Sequence, residues 1–360
     1  MEVQKYLLSH TLKELSDEYG IKVKEYEDIV CLNYDQIKSK KTDPITIECR
    51  ALKLYKDGWN VASRAFDRFF NFGELETKNF SFETCVIAEK VDGSLIPVWF
   101  NKVDKNWHIS TRGSGFAEGG NGDKSFNEMV ISTFPQLQQV MQKEDPDFTF
   151  LFEFISPENR IVTPYEKSEL VLLGIRHNLH GNYKTISEME EFVIRCSTPS
   201  VRMCKFFHFD SLNKAVEFTS SFKRLEEGFV CWDLKSDLRI KIKSAQYVAM
   251  HLMRGVTDDE SILSVILQGE TDEFISYYPE LREKFQECER KISLLKEYLS
   301  KTYAEICHLS QKDFAIAVIS NVKRKMYSSL FFDARKLGNI ALYFDNLTIQ
   351  KKIEFLNKFM

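Results

Sequence analysis

The sequence predicts an α+β protein, in which a strand-rich domain with antiparallel sheets is followed by an all-α domain. Up to about His251, short β-branched and aromatic segments alternate with turn signals such as Lys56-Asp57-Gly58. Beyond that residue, apolar residues recur at intervals of three and four, as in amphipathic helices. We therefore expect domains at residues 1–251 and 252–360.

The first domain carries its strand pattern in segments that are each bounded by turn residues. They are Asn60–Ala65, Thr84–Glu89, Leu95–Phe100, Trp107–Thr111, Phe148–Ile155, Leu170–Ile175, Gly228–Asp233 and Arg239–Ser244. Helices are expected around 126–142 and 186–196. Residues 1–44 begin with an amphipathic pattern, and we expect them to form a helical extension.

The second domain is expected to contain a long helix announced by Pro279 in its first turn. Its apolar stripe, which indicates core packing and not a cofactor site, consists of Leu281, Phe285, Cys288, Ile292, Leu295 and Leu299. Further helices are expected at 311–325, 328–336 and 347–358.

Composition limits the classes of function. A net charge of −4 argues against a protein that binds nucleic acid over its whole surface, so any such contact requires local basic clusters. No apolar run is long enough to cross a bilayer, which predicts a cytoplasmic protein without membrane contact. The eight cysteines have no zinc-site spacing, so we expect them to be reduced, mostly in the core.

The strongest chemical signal is Glu89-Lys90-Val91-Asp92-Gly93-Ser94, in which a lysine ends a strand and a tight turn follows. This arrangement predicts an amine presented at the edge of a cleft. A lysine nucleophile must be unprotonated to attack, and burial and neighbouring cations favour the neutral amine. The sequence should therefore supply nearby positive charges.

Lys241 and Lys243 alternate with Ile240 and Ile242, so a strand would place both lysines on one face. The pattern is typical either of a solvated strand face or of a site for an anion such as a triphosphate.

Two carboxylates are candidates for holding a metal ion. Glu153 opposes four phenylalanines and needs a partner, which could be a ribose hydroxyl, a metal-bound water, or Arg160 or Arg176 in a salt bridge. Glu227 lies at a strand start, either as a Mg²⁺ ligand or as part of an ordinary turn.

Arginines and phenylalanines upstream of Lys90 are candidates for nucleotide contacts. Arg50 and Arg68 suit phosphates, and Phe70 is either a stacking ring or a core residue. Arg112 follows in a glycine-rich segment that lacks the pattern of a phosphate-binding loop; we expect a surface loop there.

Taken in order, these segments resemble the covalent nucleotidyltransferases, and most closely the bacteriophage RNA ligase 1 family. The six matching motifs are Glu48-Cys49-Arg50, Phe69-Phe70-Asn71, Lys90 to Ser94, Phe152-Glu153-Phe154 with the following 157–162, Glu227-Gly228, and Lys241-Ile242-Lys243 with Tyr247. The departures are Ala51, where the family usually has glycine, and Arg68 and Arg112, where lysines are common.

The resemblance implies an antiparallel nucleotidyltransferase (ATP-grasp-like ligase) domain and an ATP-dependent, Mg²⁺- or Mn²⁺-requiring RNA ligase. Lys90 would carry AMP beside Gly93, and Lys241 and Lys243 would bind the α-phosphate and favour the neutral amine. Glu153 would bind the ribose or a metal-bound water, and Glu227 would orient the hydration shell of the metal.

The same resemblance assigns the remaining contacts and the partner. Arg50 and Arg68 would hold phosphates, Phe70 would stack on adenine, and Arg112 would contact RNA. The partner would be RNA with 5′-phosphate and 3′-hydroxyl ends, such as nicked tRNA, bound by a monomeric protein in the cytoplasm of a phage host. The helical domain would choose the RNA, and its local basic cluster is Lys323-Arg324-Lys325, which could equally be a solvated helix face.

Three alternatives stay open. A DNA ligase and an mRNA-capping guanylyltransferase use the same lysine chemistry, but both usually carry a β-rich OB-fold where this chain has a helical pattern. A non-catalytic RNA-end-binding protein should have lost at least one charged motif residue, and none is missing.

Overall fold

The computed structural model describes residues 1–36, 38–74, 79–121, 124–222, 226–245, 247–248, 259–267, 269, 271–277 and 279–359. The chain forms two compact units, Met1–His251 and Leu252–Met360. Residues 249–258, around the predicted boundary, lie outside the described residues. No helix in the described parts of the chain is both long and apolar enough to cross a membrane.

The first unit begins with a four-stranded antiparallel sheet in the order β1-β2-β3-β4. Its elements are α1 (Glu2–Leu7), α2 (Leu12–Tyr19), β1 (Ile21–Glu25), β2 (Ile29–Tyr34), α3 (Pro44–Glu48), β3 (Leu52–Tyr55) and β4 (Val61–Ser63). The N-terminal extension over 1–44 is thus helical at α1 and α2 and continues as the β1–β2 hairpin. The β1–β2 hairpin forms because Val30 and Leu32 bury their side chains with Leu52 and Leu54.

Two five-stranded sheets follow in the same unit. Their strands are β5 (Phe70–Asn71), β6 (Cys85–Lys90), β7 (Ser94–Asn101), β8 (Asn106–Ile109), β11 (Phe148–Ile155), β12 (Glu169–His177), β13 (Val201–Met203), β14 (Phe206–Phe207), β15 (Gly228–Asp233) and β16 (Arg239–Lys243). The central sheet has the order β13-β12-β11-β7-β8, and the lysine sheet, which contains Lys90, has the order β14-β6-β15-β16-β5. Both are mainly antiparallel, which confirms the predicted fold class.

Among the described residues, this unit also contains a short hairpin and several helices. The hairpin is formed by β9 (Gly120–Asn121) and β10 (Lys124–Ser125), and the helices are α4 (Phe126–Thr133), α5 (Leu137–Met141), α6 (Ile186–Cys196) and α7 (Leu212–Thr219). The helical region predicted around 126–142 divides into two helices at Phe134 and Pro135, because proline disfavours a helical conformation of the preceding residue.

Alternation along the strands sets the faces of both sheets. On β11, Phe148, Phe150, Phe152 and Phe154 enter the main core, whereas Glu153 points to the other face. On β16, Ile240 and Ile242 enter a separate core behind the lysine sheet. Lys241 and Lys243 consequently share the opposite face, as the sequence predicted.

In the second unit, all the regular elements that the structure describes are helical. They are α8 (Asp259–Leu267), α9 (Thr271–Tyr277), a 3₁₀ turn (Pro279–Leu281), α10 (Arg282–Ile306), α11 (Gln311–Ile319), α12 (Val322–Met326), α13 (Ser328–Leu337), α14 (Ile340–Asp345) and α15 (Ile349–Phe359). The stripe on α10 from Phe285 to Leu299 is buried, as predicted. The single helix expected over 311–325 is two helices, since the Asn321 side chain caps the second by accepting from the backbone N–H of Arg324.

Candidate active site

Lys90 is the last residue of β6, and the turn after it is fixed by one buried carboxylate. Asp92 accepts hydrogen bonds from the backbone N–H groups of Val162 (2.9 Å) and Thr163 (2.7 Å) and from the Tyr247 hydroxyl (2.7 Å). These hydrogen bonds stabilise the buried charge of Asp92. They also hold the turn against the segments that carry Val162 and Tyr247. Its role in this structure is to place Lys90.

Two glycines in the motifs are required by close packing. A Cβ on Gly93 would lie 2.4 Å from the carbonyl oxygen of Phe154, so only glycine lets this turn approach β11. Gly228 has φ +144°, and its Cβ would lie 1.9 Å from the carbonyl oxygen of Ile242. Both glycines bring the motif strands together.

The register of the lysine sheet brings three motifs into one row. Gly228 pairs with Lys90 on one side and with Lys243 on the other. The preceding residue, Glu227, is 5% exposed, and its Oε1 lies 2.6 Å from the Lys90 Nζ and 3.9 Å from the Lys243 Nζ. The short contact of the Lys90 amine is thus with a carboxylate. The sequence analysis expected neighbouring cations and did not predict this carboxylate.

Glu153, on β11 of the central sheet, interacts electrostatically with Lys90 and Glu227. Burial raises its pKa to about 8, an effect that the charges of Lys90 and Arg50 oppose and that of Glu227 reinforces. The two arginines that the sequence offered as salt-bridge partners are used elsewhere: Arg176 binds Asp67, with 2.8 Å between Nη2 and Oδ2, and Arg160 donates to the carbonyl of Val162.

Arg50 and Arg68 are held by aromatic rings and retain donor capacity. The Arg50 guanidinium lies 4.7 Å from the Phe69 ring centroid, and that of Arg68 lies 4.8 Å from the centroid of Phe70. The Nη1 atoms of both arginines are buried and make no hydrogen bond to a described residue, and the Arg68 Nη1 forms an ion pair with Glu74 at 4.0 Å. Such groups suit an anionic ligand.

Phe70 occupies a different environment from the one expected for a stacking ring. It is 5% exposed, and its ring contacts Arg68. In this arrangement it supports a cation and offers little open surface to a base. Ala51, which follows Arg50 at the position where the resembling family usually has glycine, has φ +57°, a conformation that glycine adopts more easily.

Tyr34 is a site residue that the sequence analysis missed. Burial opposes ionisation of its phenol, but Arg112, Arg50, Lys241 and Arg68 outweigh burial and lower the pKa of Tyr34. The Arg112 guanidinium lies 4.7 Å from the Tyr34 ring. These contacts place Arg112 beside the phosphate-binding candidates and not on a separate surface loop. The short apolar run Ile29–Leu32 was the available signal for this strand.

The basic cluster of the second unit is mostly engaged within that unit. Lys323 lies over the rings of Tyr298 (4.5 Å) and Phe359 (4.9 Å), and Arg324 Nη2 lies 2.9 Å from the Glu305 carboxylate. Lys325 is exposed on α12. Of the three, Lys325 presents its charge most openly to solvent.

The carboxylates fit a loosely held Mg²⁺ or Mn²⁺ better than a closed metal site. Among the described residues, no group of three or more His, Cys, Asp or Glu side chains could hold a metal ion. Mg²⁺ commonly takes one or two carboxylates together with waters and substrate phosphates. Glu227 and Glu153, which face Lys90, meet that requirement.

Comparison with known proteins agrees with this site. Residues 48–247 match a family model described as RNA ligase, of the T4 RNA ligase 1 type. A candidate bifunctional polynucleotide kinase/RNA ligase of Autographa californica nuclear polyhedrosis virus is 33% identical over 309 residues, covering 78% of this chain and 42% of that protein. The chain thus spans less than half of this relative.

Two further comparisons concern a phage protein and a solved structure. An RNA ligase of Rhodothermus phage RM378 is 26% identical over 337 residues, with 75% of this chain and 76% of that protein covered. The fold is similar to that of an archaeal ATP-dependent RNA ligase, with a TM-score of 0.51, 13% identity, and 79% and 78% of the two chains covered. The family model spans every motif around Lys90, and the chain belongs to the RNA ligase family.

Proposed function

We propose that this protein is an ATP-dependent RNA ligase that joins 5′-phosphate and 3′-hydroxyl RNA ends through AMP bound to Lys90. The observation that carries the proposal is the position of the Lys90 amine, 2.6 Å from Glu227, in a cluster of charges that also includes Lys243, Glu153 and Arg50. A nucleophilic amine among cations and carboxylates suits attack on a phosphate.

In the first step, the Lys90 Nζ attacks the α-phosphorus of ATP. A P–N bond forms, the bond to pyrophosphate breaks, and the amine loses a proton, for which the Glu227 carboxylate is an acceptor within hydrogen-bond distance. Lys241 and Lys243 would contact the α-phosphate. A divalent cation, Mg²⁺ or Mn²⁺, would supply neutralisation of phosphate charge when bound.

The outer phosphates of ATP would meet the second group of cations. Arg50 has a buried Nη1 atom without a hydrogen-bond partner among the described residues, whereas that of Arg68 lies 4.0 Å from the Glu74 carboxylate. Both arginines act on Tyr34 together with Arg112. Three phosphates carry enough negative charge to pair with this group. Release of pyrophosphate would then make the same surface accessible to an RNA 5′-phosphate.

The second and third steps use that bound end. An oxygen of the RNA 5′-phosphate attacks the lysyl phosphate, which breaks the P–N bond and returns the proton to Lys90. The RNA 3′-hydroxyl then attacks the activated 5′-phosphate, a phosphodiester bond forms, and AMP leaves. Every bond broken is replaced by one formed, and ATP is the only energy source.

Met1–His251 would perform this chemistry, and Leu252–Met360 would contribute to the choice of RNA. Lys323 and Lys325 are the exposed cations of its basic cluster, and Lys323 also lies over two aromatic rings. Nicked tRNA is the substrate class that we propose. We further propose that the protein acts as a monomer in the cytoplasm, where ATP and cleaved RNA occur together.

Mass spectrometry after incubation with ATP and Mg²⁺ tests the proposal. We expect the native protein to gain one adenylyl group on Lys90 and the Lys90→Ala variant to gain none. Lys102→Ala is the matched control. Lys102 directly follows β7 and pairs with Asp147, which directly precedes β11, so this ion pair lies at the ends of these strands away from Ser94 and the Lys90 motif. Labelling by GTP but not by ATP would contradict the ligase proposal and favour a capping enzyme.

A further inference from the structure

Arg239 is the third cation in the row that contains Lys241 and Lys243, but it does not share their surroundings. Its side chain is 7% exposed and forms an ion pair with Asp237, with 2.7 Å between Nη1 and Oδ1. Its guanidinium carbon lies 4.1 Å from the Trp232 ring centroid, 4.2 Å from that of Tyr183 and 5.0 Å from that of Phe66. Three aromatic faces around one desolvated guanidinium make a strong cation–π site. A phosphate would have to displace these rings to reach it.

The rings around Arg239 come from separate parts of the first unit. Trp232 lies on β15 and is the register partner of Arg239 in the lysine sheet. Tyr183 bridges to Arg176 on β12 of the central sheet, and Phe66 stacks on Tyr183 with ring centroids 5.8 Å apart. Arg239 therefore connects the start of β16 to the central sheet.

The strand that Arg239 begins has little other support on its outer edge. β16 pairs with β15 along its whole length, but its pairing with β5 is limited to Ile240 with Phe70 and Lys241 with Asn71. Lys241 and Lys243 follow Arg239 at intervals of two residues, about 7 Å each along a strand. A shift at the start of β16 would thus move both lysines.

The same contacts fix the segment that carries Arg68. Phe66 lies under the Arg239 guanidinium, and the next residue, Asp67, binds Arg176 with 2.8 Å between Oδ2 and Nη2. Arg68 follows directly. Arg239, through Phe66, and Arg176, through Asp67, therefore both hold the segment that leads to Arg68. Since Arg239 also begins the strand of Lys241, it links the positions of Arg68 and Lys241.

We propose that Arg239 is a positioning residue for adenylyl transfer, which acts by fixing Lys241 and Lys243 against the segment that presents Arg68. The inference rests on the proposed function, because it concerns the same transfer of AMP to Lys90. It adds a residue whose own charge is taken up by Asp237 and three aromatic rings and is not used on the nucleotide.

Substitution should lower the rate of the reaction more than the affinity for ATP. Arg239→Met keeps much of the apolar volume and removes the charge and the planar group. Since a misplacement of about 1 Å can cost about 10²-fold in rate, we expect the adenylation rate at saturating ATP to fall by about 10- to 100-fold. Arg239→Lys keeps the charge without the plane and should recover part of this loss.

A double-mutant cycle with Lys241→Met distinguishes positioning from general stabilisation. If Arg239 acts through the lysines, Arg239→Met should lower the adenylation rate by less than about threefold in the Lys241→Met background. If the two substitutions acted independently, their fold-reductions in the adenylation rate would multiply. Arg195→Met is the control, because Arg195 likewise pairs with a carboxylate, Glu144 at 2.8 Å, and lies over the ring of Phe192, but its side chain is 47% exposed.

The decisive measurements are single-turnover adenylation rates, ATP titrations and thermal unfolding of these full-length variants. The inference is supported if saturating rates fall for Arg239→Met and partly recover for Arg239→Lys, and the effect vanishes with Lys241→Met. It is overturned if the effects multiply or if Arg239→Met matches Arg195→Met. Should Arg239→Met not fold, the cycle is run with Arg239→Lys under the same criteria. If the proposed function itself is wrong, the result differs: the native protein is not adenylated on Lys90.

Discussion

The Lys90 amine and the Glu227 carboxylate meet at 2.6 Å because the residue after Glu227 is the register partner of Lys90. The contact is therefore a product of sheet pairing and does not depend on the flexible end of a loop. Gly228 makes that pairing possible, since its φ of +144° and the nearby carbonyl of Ile242 exclude a side chain. The charge of Glu227 is held at the nucleophile by backbone geometry.

Glu227→Gln should separate the charge of this contact from its shape. The amide keeps the volume but cannot balance a cation or take a proton, so we expect single-turnover adenylation to fall by about 10²-fold. Transfer of labelled AMP to the protein measures the rate. Glu226→Gln is the neighbouring control, and an equal loss in both variants would contradict a specific role for Glu227.

The raised pKa of Glu153 predicts a pH dependence of stability. Its folded value of about 8 exceeds the ordinary 4.5, so between these values the folded chain holds a proton that the unfolded chain has released. The contribution of Glu153 to the free energy of unfolding therefore decreases as pH rises from about 4.5 towards 8.

Glu153→Gln should remove that dependence. We expect the variant to be more stable than the native protein by about 2 kcal/mol at pH 8, with the difference shrinking towards pH 5. Denaturant unfolding at several pH values measures it, and Glu190→Gln, at an exposed carboxylate, is the control. A constant difference across pH would show that Glu153 does not titrate in this range.

Gly228→Ala should disrupt the alignment of the motif strands. The new Cβ would lie 1.9 Å from the carbonyl oxygen of Ile242, and backbone atoms cannot move aside as a flexible side chain can. We expect a loss of about 1–3 kcal/mol in the free energy of unfolding, with loss of adenylation. Gly119→Ala is the control, because nothing lies within 4 Å of its Cβ position. Similar melting temperatures for the two variants would argue against strain at Gly228.

The motif residues could be predicted from sequence because their chemistry is local. Strict alternation in Arg239–Lys243 identified the face of Lys241 and Lys243, and the turn after Lys90 identified its exposed end. The ion pair of Lys90 with Glu227 could not be predicted, since it depends on the register between two strands far apart in the chain.

The contribution of the N-terminal region to the candidate site could not be predicted from sequence for a related reason. Tyr34 joins the cation cluster from the end of β2, a short and largely apolar run that resembles many buried strands. Similarly, the sequence showed Arg239 as one more cation of a row, and only the packing of Phe66, Tyr183 and Trp232 reveals that its charge is covered.

Arg50→Met should weaken ATP binding without weakening the fold. Burial lowers the pKa of Arg50, and its Nη1 has no hydrogen-bond acceptor among the described residues, so the free protein gains little from the charge. A charged hydrogen bond contributes about 1.5–3 kcal/mol, which predicts a KM for ATP about 10- to 100-fold higher. Kinetics and thermal unfolding are measured together; a large drop in melting temperature would show that Arg50 mainly supports the fold.

Lys325 and Lys323 should respond differently to substitution, although they lie on the same short helix. Lys323 contacts Tyr298 and Phe359, so Lys323→Ala is expected to lower the stability of the second unit by about 0.5–1 kcal/mol. Lys325 is exposed, and Lys325→Ala is expected to leave stability unchanged while removing one phosphate contact. The slope of log affinity for nicked RNA against log salt should then become shallower by about 0.7–0.9. Identical slopes for native protein and Lys325→Ala would mean that this helix does not touch RNA, and RNA choice would have to be sought on other surfaces.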